Sequence, residues 1–500
     1  MIRKSITSAC FLGILLVAGM PHLQADDGDP FLESGRATAA TAPTTRPAPA
    51  WLPGDLEQRR KAVKARHEQD LASLRKVLLD AYQASGDTSP KWDENARKAI
   101  CAFAVGKVPE LSDRSDVTTT LNSSFYADNS GCHDGLVQYA LARMMYTVSQ
   151  PTSADHARQI EAGRHMLESE YPDTYKLYGL LRTIQFIAND EFKIPNEASK
   201  KKIDDGHLEI LGLADSIAKA PPIQRYELIN LFEVAGEASY EIYHDRMRIP
   251  SEMLAGFGEG YADRSSLLTA EGCLWINYAW DARGSGWGNT VSDDNSGLFE
   301  NRLARAQTVL TKAWNLDHDN AWAAKFMITV CRGRGLSRAI MEKWFKAAVA
   351  ADPDAFAAYA EKLEYLEPKW CGSPDDMLSF GRECMAFLPD DSERRLTLVA
   401  VHLRLSQYDV PDYAYLPQRS YFAKSPKIWT DIEAAYEPYI KACGLSDFHR
   451  LRYARLALWC KQPDKARELL RPYGNYDGQF ELTIEEVDAM RQELGLAKKK

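Results

Sequence analysis

The sequence predicts an all-α fold built from stacked helical hairpins. Apolar residues recur at a spacing of about 3.6 along most of the chain, whereas runs that alternate between apolar and polar residues, as strands do, are nearly absent. In residues 55–84, for example, Val63, Leu71, Leu78 and Tyr82 fall on one helical face. The same period predicts helices over residues 94–105, 136–148, 154–168, 173–188, 208–218, 223–243 and 267–280.

An internal repeat indicates how these helices are arranged. Residues 311–327, TKAWNLDHDNAWAAKFM, recur as FKAAVAADPDAFAAYAE at residues 345–361, with an acidic turn in the middle of each copy. A period of 34 residues is typical of tetratricopeptide repeats, in which each helix pair buries its apolar face against the next pair. We therefore expect a helical-repeat array of the tetratricopeptide-like α-solenoid type, with weaker echoes at residues 377–391 and 463–474. The matched pairs, each 34 residues apart, are Lys312 and Lys346, Ala313 and Ala347, and Trp322 and Phe356.

The N-terminus predicts export. Arg3 and Lys4 precede an apolar run over residues 6–20, and Ala25 closes a short segment before Asp26, which is the layout of a secretory signal peptide. A periplasmic or secreted location follows, with an uncleaved membrane anchor as the alternative. The expected segments are a signal peptide (1–25), a disordered Ala/Thr/Pro-rich linker (26–54), an N-terminal helical region (55–265), a tetratricopeptide-like repeat region (266–475), and a C-terminal helix with a basic tail (476–500).

Composition argues against nucleic acid and zinc. Lys and Arg number 61 and Asp and Glu number 70, a formal net charge of -9, so the chain lacks the basic excess that phosphate neutralisation requires. Of nine cysteines Cys10 leaves with the signal, and none of the others forms the C-x-x-C pair typical of a zinc ribbon. Beyond the signal, no segment has the roughly 18 uninterrupted apolar residues of a membrane span.

Cys101 and Cys132 flank a stretch rich in Ser, Thr and Asp, residues 112–131, that is expected to be a loop. In an oxidising compartment a disulfide between them would hold this loop in place. Two buried free thiols are the alternative. Cys443 and Cys460 are expected to lie too far apart to bond, near opposite ends of two packed helices.

Two motifs carry a resemblance to a known family. RGSGWGNTV at residues 283–291 and YLEPKWCGS at residues 365–373 resemble an uncharacterised family of secreted bacterial proteins with tetratricopeptide-like helical repeats. The resemblance covers about residues 271–388. It implies a helical-repeat fold and a bacterial origin, and it implies no chemistry.

The glycine-rich stretch at residues 281–297 is interpreted as a connection between helices. It follows a helix instead of a strand, contains no G-K-S or G-K-T, and lacks the closing glutamate of a calcium loop. Gly284 and Gly286 are expected to end one helix, and a residue among 294–296 is expected to cap the next.

Four residues are candidates for ligand binding. Arg283 and Trp287 lie in the glycine-rich stretch, and Lys369 and Trp370 lie in the motif PKWCGSPDD. In that motif Ser373, followed by a proline and two acids, predicts the start of a helix. Trp370 has a second interpretation, as an apolar plug beneath a helix corner.

No catalytic residue is assigned, and neither a metal nor a cofactor is expected. Glu237, Glu241 and His244 share a helical face, but a di-iron bundle needs a second Glu-x-x-His, which is missing. The face is interpreted as solvated, with Arg246 and Arg248 pairing with its acids. The motifs H-E-x-x-H and G-x-S-x-G are also missing.

The leading functional hypothesis is an exported scaffold whose groove binds a protein or peptide partner in the bacterial cell envelope. The alternative is an exported α/α-barrel enzyme acting on polysaccharide, since 11 Trp and 23 Tyr suit sugar stacking and Asp281, Asp293 and Asp294 supply carboxylates. A purely structural role in assembly is not separable from the scaffold by sequence. An open superhelix would favour the scaffold, and a closed ring of longer hairpins would favour the enzyme.

Overall fold

The computed structural model describes residues 48–85, 88–108, 114–148, 153–191, 197–284, 291–409, 417–444, 446–473 and 484–496. These ranges contain 21 α-helices and no β-strand, which confirms the all-α prediction. Within them, no helix combines the length and the hydropathy needed to cross a bilayer.

The helices, in chain order, are α1 (Leu56–Ala84), α2 (Asp93–Val105), α3 (Arg114–Asn129), α4 (Gly135–Val148), α5 (Ser153–Leu167), α6 (Asp173–Glu191), α7 (Glu197–Lys219), α8 (Arg225–Tyr243), α9 (Arg248–Phe257), α10 (Arg264–Arg283), α11 (Asp293–Leu316), α12 (Ala321–Gly333), α13 (Arg338–Ala351), α14 (Phe356–Tyr365), α15 (Pro374–Phe387), α16 (Thr397–Ser406), α17 (Arg419–Phe422), α18 (Pro426–Cys443), α19 (Asp447–Trp459), α20 (Pro463–Leu470) and α21 (Ile484–Glu493). A short 3-10 helix, Glu393–Leu396, precedes α16.

Helix α3 occupies most of the segment that was expected to be a loop, so that expectation is wrong. Its inward positions include small hydroxyl residues, among them Thr120 and Ser123, which are buried. The Thr120 hydroxyl donates a hydrogen bond of 2.7 Å to the Asp116 carbonyl, one turn earlier in the helix. Because backbone carbonyls of the helix can accept hydrogen bonds from hydroxyls such as that of Thr120, a polar sequence can pack between α2 and α4.

The helices form two layers. In the inner layer, α6, α8, α10, α12, α14 and α16 follow one another, and each packs against the next. The outer layer contains α5, α7, α9, α11, α13 and α15; its consecutive members, α7 and α9 apart, make few contacts with each other in the described part of the chain. Because each inner helix contacts the next whereas most outer helices do not, we expect the array to curve with the inner layer on its concave side.

The turns that lead from an outer to an inner helix repeat in geometry. Asp317 ends α11 and Asp352 ends α13, both with extended backbone at φ −149° and −144°. Asp317 Oδ1 accepts a hydrogen bond from the Asp319 N–H at 2.9 Å, and Asp352 Oδ1 accepts one from the Asp354 N–H at 3.0 Å. The DHD and DPD turns are therefore structurally equivalent. The helix ends that they form lie 35 residues apart, so Ala313 corresponds to Ala348, one position beyond the predicted partner Ala347.

Helix α1 lies along the edge that these acidic turns form. Its Arg60 pairs with Asp354 and with Asp391, each at 2.7 Å, and so joins two successive turns. Further along α1, Arg66 lies 3.9 Å from Asp319 in the turn before α12. With 29 residues, α1 is about 43 Å long at 1.5 Å per residue. Four interhelical spacings of about 8–10 Å separate α6 from α14, so α1 is long enough to pass along all of these helices.

Trp51 fixes the start of α1 to the repeat region. Its indole is 5% exposed, and its Nε1–H donates a hydrogen bond of 3.2 Å to Glu383. The ring packs edge-on against Phe345, Tyr359 and Phe380, at centroid distances of 5.4, 6.2 and 6.4 Å. The hydrogen bond joins residues 332 positions apart in the chain. Forming these contacts therefore closes a long loop of the chain, which costs conformational entropy.

Buried apolar residues form one main cluster and two smaller clusters, one of which contains only Leu268, Val309, Ala313 and Ala323. The main cluster extends from Trp51 to Leu405 and continues without a break across position 265, where the N-terminal region was expected to end. The other smaller cluster extends from Leu396 to Leu494 and includes α18 to α21. The change of core therefore falls at α16.

We predict that Asp352→Asn changes the pH dependence of the edge that α1 covers. The Asp352 side chain is 7% exposed, and its burial raises the pKa of its carboxyl to about 6. The native state then binds this proton more tightly than the unfolded state, so ionisation of Asp352 lowers stability as the pH rises from about 4 to about 6. The amide variant has no such titration.

Hydrogen exchange of α1 and α14 amides, which reports local opening free energies, measures the effect. Relative to wild type, the Asp352→Asn variant should gain about 1–3 kcal/mol between pH 4 and pH 7. The control is Asp390→Asn, since the Asp390 side chain is 64% exposed. An equal difference between Asp352→Asn and wild type at both pH values would contradict the burial argument.

Candidate binding surface on the inner layer

Charged side chains link neighbouring helices of the inner layer. Arg182 of α6 binds Glu237 of α8 at 2.5 Å. Arg246, which precedes α9, binds Asp281 of α10 through two contacts of 2.6 and 3.0 Å. The two arginine side chains are only 9% and 3% exposed. Because buried ions lose their hydration, such pairs persist only with close geometry, and they fix α6, α8 and α10 relative to one another.

Two glutamates one turn apart on α8 have opposite tendencies to hold a proton. Burial opposes ionisation of Glu237, but the Arg182 guanidinium, together with the charges of Arg143 and Arg246, lowers the pKa of Glu237. Burial raises the pKa of Glu233, which accepts hydrogen bonds from the Cys273 thiol at 3.2 Å and the Asn277 amide at 3.3 Å. Glu237 is therefore a carboxylate, and the neighbouring Glu233 takes up a proton more readily than Glu237 does.

A second group of charges joins α12 to α14. Arg332 of α12 lies 3.3 Å from Glu361 and 3.1 Å from Glu364, both on α14. Burial opposes ionisation of Glu364, but the charge of Arg332 is the largest of several cations that together lower the pKa of that carboxyl. Arg332 and Glu364 therefore form a charged pair at neutral pH.

Lys369, one of the candidate residues, lies beside the next carboxylate along the layer. Glu367 is fully buried and binds Lys369 at 3.1 Å and Arg404 of α16 at 3.0 Å. The Tyr408 hydroxyl donates a further hydrogen bond of 2.8 Å to Glu367. Lys369 therefore belongs to a charge network that reaches α16.

Two other candidate residues, Arg283 and Trp370, meet in an aromatic cluster with Trp280. Trp280 at the end of α10 and Trp370 after α14 pack edge-on, with ring centroids 5.9 Å apart. Arg283 lies over both rings, at 5.4 and 5.8 Å. Arg332 does the same from α12, at 5.4 and 5.1 Å. We call Trp280, Arg283, Arg332 and Trp370 the tryptophan–arginine cluster. The fourth candidate, Trp287, lies outside the described residues.

Three buried donors around this cluster lack a hydrogen-bond partner in the described chain. They are the Trp370 Nε1–H, the Arg332 Nε–H and the Thr329 hydroxyl, of which the last two belong to α12. A buried donor without an acceptor costs about 1–3 kcal/mol, so a ligand or water oxygen that reaches these atoms gains that amount. The cluster thus combines packed aromatic rings with buried donors that have no acceptor in the described chain.

Local sequence signals place the cluster. Gly284 ends α10 with φ 70°, a left-handed conformation that favours glycine, as predicted. Ser373 caps α15 by accepting a hydrogen bond from the Asp376 N–H, and proline follows it, which is also as predicted. The predicted cap among residues 294–296 is wrong, because Ser292 caps α11 by accepting from the Asn295 N–H. Helix α11 thus begins earlier than the sequence suggested.

The face around His244 differs from its interpretation as a set of acids paired with Arg246 and Arg248. Glu237 pairs with Arg182, and Arg246 pairs with Asp281. Arg248 instead lies over the Tyr243 ring at 3.9 Å. Among the described residues, no group of three or more His, Cys, Asp or Glu side chains could hold a metal ion.

Cys101 and Cys132 are free thiols, so the expected disulfide is not formed in the structure. Cys132 is completely buried, and Cys101 is partly exposed on α2. Since α3 is held by packing against α2 and α4, the segment between the cysteines does not depend on a covalent link. Cys443 and Cys460 are also free, as expected.

Comparisons with known proteins give no identification. No family model matches the chain, and neither the curated proteins nor the solved structures contain a match.

We predict that Arg332→Ala destabilises the protein by about 3–5 kcal/mol, because it removes a buried cation and leaves the largely buried Glu361 and Glu364 carboxylates without their ion-pair partner. The matched control is Arg338→Ala. Arg338 also has two carboxylate partners, Glu342 and Asp376, but its side chain is 42% exposed where that of Arg332 is 9% exposed.

Urea unfolding of both variants, followed by tryptophan fluorescence, measures the difference. The control should lose less than about 1 kcal/mol, because solvent screens exposed pairs. Equal losses in the two variants would show that burial does not set the importance of the Arg332 ion pairs.

Proposed function

We propose that this protein is an exported scaffold of the bacterial cell envelope whose concave inner layer binds an extended segment of a protein or peptide partner. The observation that carries the proposal is the tryptophan–arginine cluster with its buried, unfilled donors. Helical-repeat arrays use their concave surfaces in this way. The resemblance of the motifs at residues 283–291 and 365–373 to secreted bacterial proteins supports the location.

A peptide suits the chemistry of the inner layer. Backbone carbonyls of an extended chain are neutral acceptors, and they match the donors of Trp370, Thr329 and Arg332 without adding a charge. The charges of the layer already pair with one another, so a strongly charged ligand would have to break existing ion pairs. Partly buried tryptophan beside arginine is also typical of positions that dominate binding energy at protein interfaces.

The polysaccharide-degrading alternative has weaker support. A glycosidase needs one carboxyl that holds a proton and one carboxylate across the sugar. Glu361 and Glu364 are both paired with Arg332, and Asp281 is bound by Arg246. The inner helices from α6 to α16 pack in chain order, as in a solenoid. Glu233 is the carboxyl that best fits an acid, and activity on glycans remains the rival outcome of the test.

We predict that Trp370→Phe weakens peptide binding about tenfold while preserving the fold. Phenylalanine keeps an aromatic ring between Arg283 and Arg332 but removes the Nε1–H, so a ligand acceptor loses one buried hydrogen bond. Peptides are selected from a random library on residues 26–500, and fluorescence anisotropy gives their Kd.

The control for this experiment is Arg338→Ala on the outer layer, which should leave the Kd unchanged. Two results would contradict the proposal. One is that the selected peptides bind Trp370→Phe as tightly as wild type. The other is that no peptide is selected while the protein hydrolyses members of a glycan panel.

A further inference from the structure

A cleft of about 380 Å³ lies at the edge of the array, away from the tryptophan–arginine cluster. One wall is α1, with Leu74 and Val77. The opposite wall is formed by the turn before α6, the end of α7 and the turn before α8, with Pro172, Ile217 and Pro221 among its residues. This volume is within the range of about 300–1,000 Å³ that is typical of small-molecule sites.

The polar side chains at the rim of the cleft already have partners. Ser216 donates a hydrogen bond of 2.5 Å to Asp173, and Ser73 donates one of 2.9 Å to the Gln69 carbonyl. The Gln224 amide donates one of 2.8 Å to the Asp70 carbonyl and so holds the turn before α8 against α1. The rim therefore offers no free charge, and Val77, 47% exposed, presents apolar surface in the wall.

Two of the residues that line the cleft carry buried polar atoms with no hydrogen-bond partner in the described chain. Glu227 is 4% exposed and Tyr175 is 2% exposed, and both the Glu227 Oε1 and the Tyr175 hydroxyl lack a partner. Burial, followed by the nearby Glu227 charge, raises the pKa of Tyr175 well above its usual range. The two groups nevertheless lie close enough for the Tyr175 hydroxyl to interact with the Glu227 carboxyl and to favour its ionised form.

The charge of Glu227 is already balanced from inside the protein. Burial raises the pKa of this carboxyl, and the Lys107 ammonium opposes the effect. Lys107 is 4% exposed and lies over the Tyr178 ring at 4.4 Å. A cationic ligand in the cleft would be repelled by the Lys107 ammonium, and an anionic ligand would be repelled by the Glu227 carboxylate. A neutral hydrogen-bond donor meets neither obstacle.

We propose that this cleft binds a compact, neutral, largely apolar molecule that carries one N–H or O–H donor, of the chemical class of indoles and phenols. Its apolar body would lie between Val77 and the proline-containing turns, and its donor would reach the Glu227 carboxyl beside Tyr175. The site is separate from the inner layer, so it does not depend on the proposed peptide binding.

Isothermal titration of the chain from residue 26 onwards with indole tests the proposal, with benzylammonium and benzoate as charged probes of similar size. Indole should bind saturably below about 5 mM, and the two ions should bind at least about tenfold more weakly. Val77→Lys, which places an ammonium in the wall at a half-exposed position, should weaken indole binding at least about tenfold. The control Ile340→Lys, at a position 41% exposed on α13, should leave it unchanged.

A second variant, Tyr175→Phe, separates hydrogen bonding from apolar contact. It removes the hydroxyl beside Glu227 and keeps the buried ring, so the fold should be retained. The preference for indole over the apolar probe toluene should change while toluene binding stays the same. Unaltered indole binding by Val77→Lys, equal binding of the charged probes, or no saturation below about 5 mM would each overturn the proposal.

Discussion

The line of contacts between α1 and the acidic turns holds the whole array in one shape. In most helical-repeat arrays each hairpin contacts only its neighbours, so bending errors accumulate along the stack. Here one long helix crosses the same edge of successive hairpins, from the Asp391 turn to the turns before α8 and α6. Trp51, which precedes α1, packs among three aromatic rings and so holds the N-terminal end of this helix in place. The spacing of the inner helices is thereby set from outside the repeats.

This spacing explains the polarity of the inner layer. When helices on the concave side are drawn together, long charged side chains such as Arg182, Glu237 and Arg332 lose water and must find partners on the next helix. Buried ion pairs add little net stability compared with apolar packing. However, if two neighbouring helices shifted along each other, the pairs would break and leave uncompensated buried charges, so the pairs favour one alignment of the helices. The same closeness leaves the Trp370 Nε1–H and the Arg332 Nε–H without acceptors inside the chain. A surface with fixed spacing and unfilled donors is prepared to bind a ligand of matching spacing.

The sequence predicted the elements better than it predicted their tertiary relations. The helical period of apolar residues predicted α1, α2, α4 to α8 and α10. Except for α7, most of their predicted ends lie within a few residues of the observed ends, because the period reflects which face of each helix is buried. It missed α3, since hydroxyl-rich helices have no apolar stripe. The DHD and DPD turns were visible as a repeat, but their binding to Arg60 and Arg66 joins positions hundreds of residues apart, and no local pattern encodes that. Arg283, Lys369 and Trp370 were selected from motifs, whereas Arg332 and Glu364 were not, because only the packing of α12 on α14 makes them neighbours.

The most direct measurement of this mechanism is small-angle X-ray scattering of residues 26–500 with the α1 contacts removed by Trp51→Ala together with Arg60→Ala. The control is Lys61→Ala, whose side chain is 77% exposed on α1. If α1 sets the curvature, the double variant keeps its helical circular dichroism while its radius of gyration and maximum dimension increase, and the control matches wild type. An unchanged scattering profile in the folded double variant would show that the repeats fix their own curvature, contrary to the role assigned to α1.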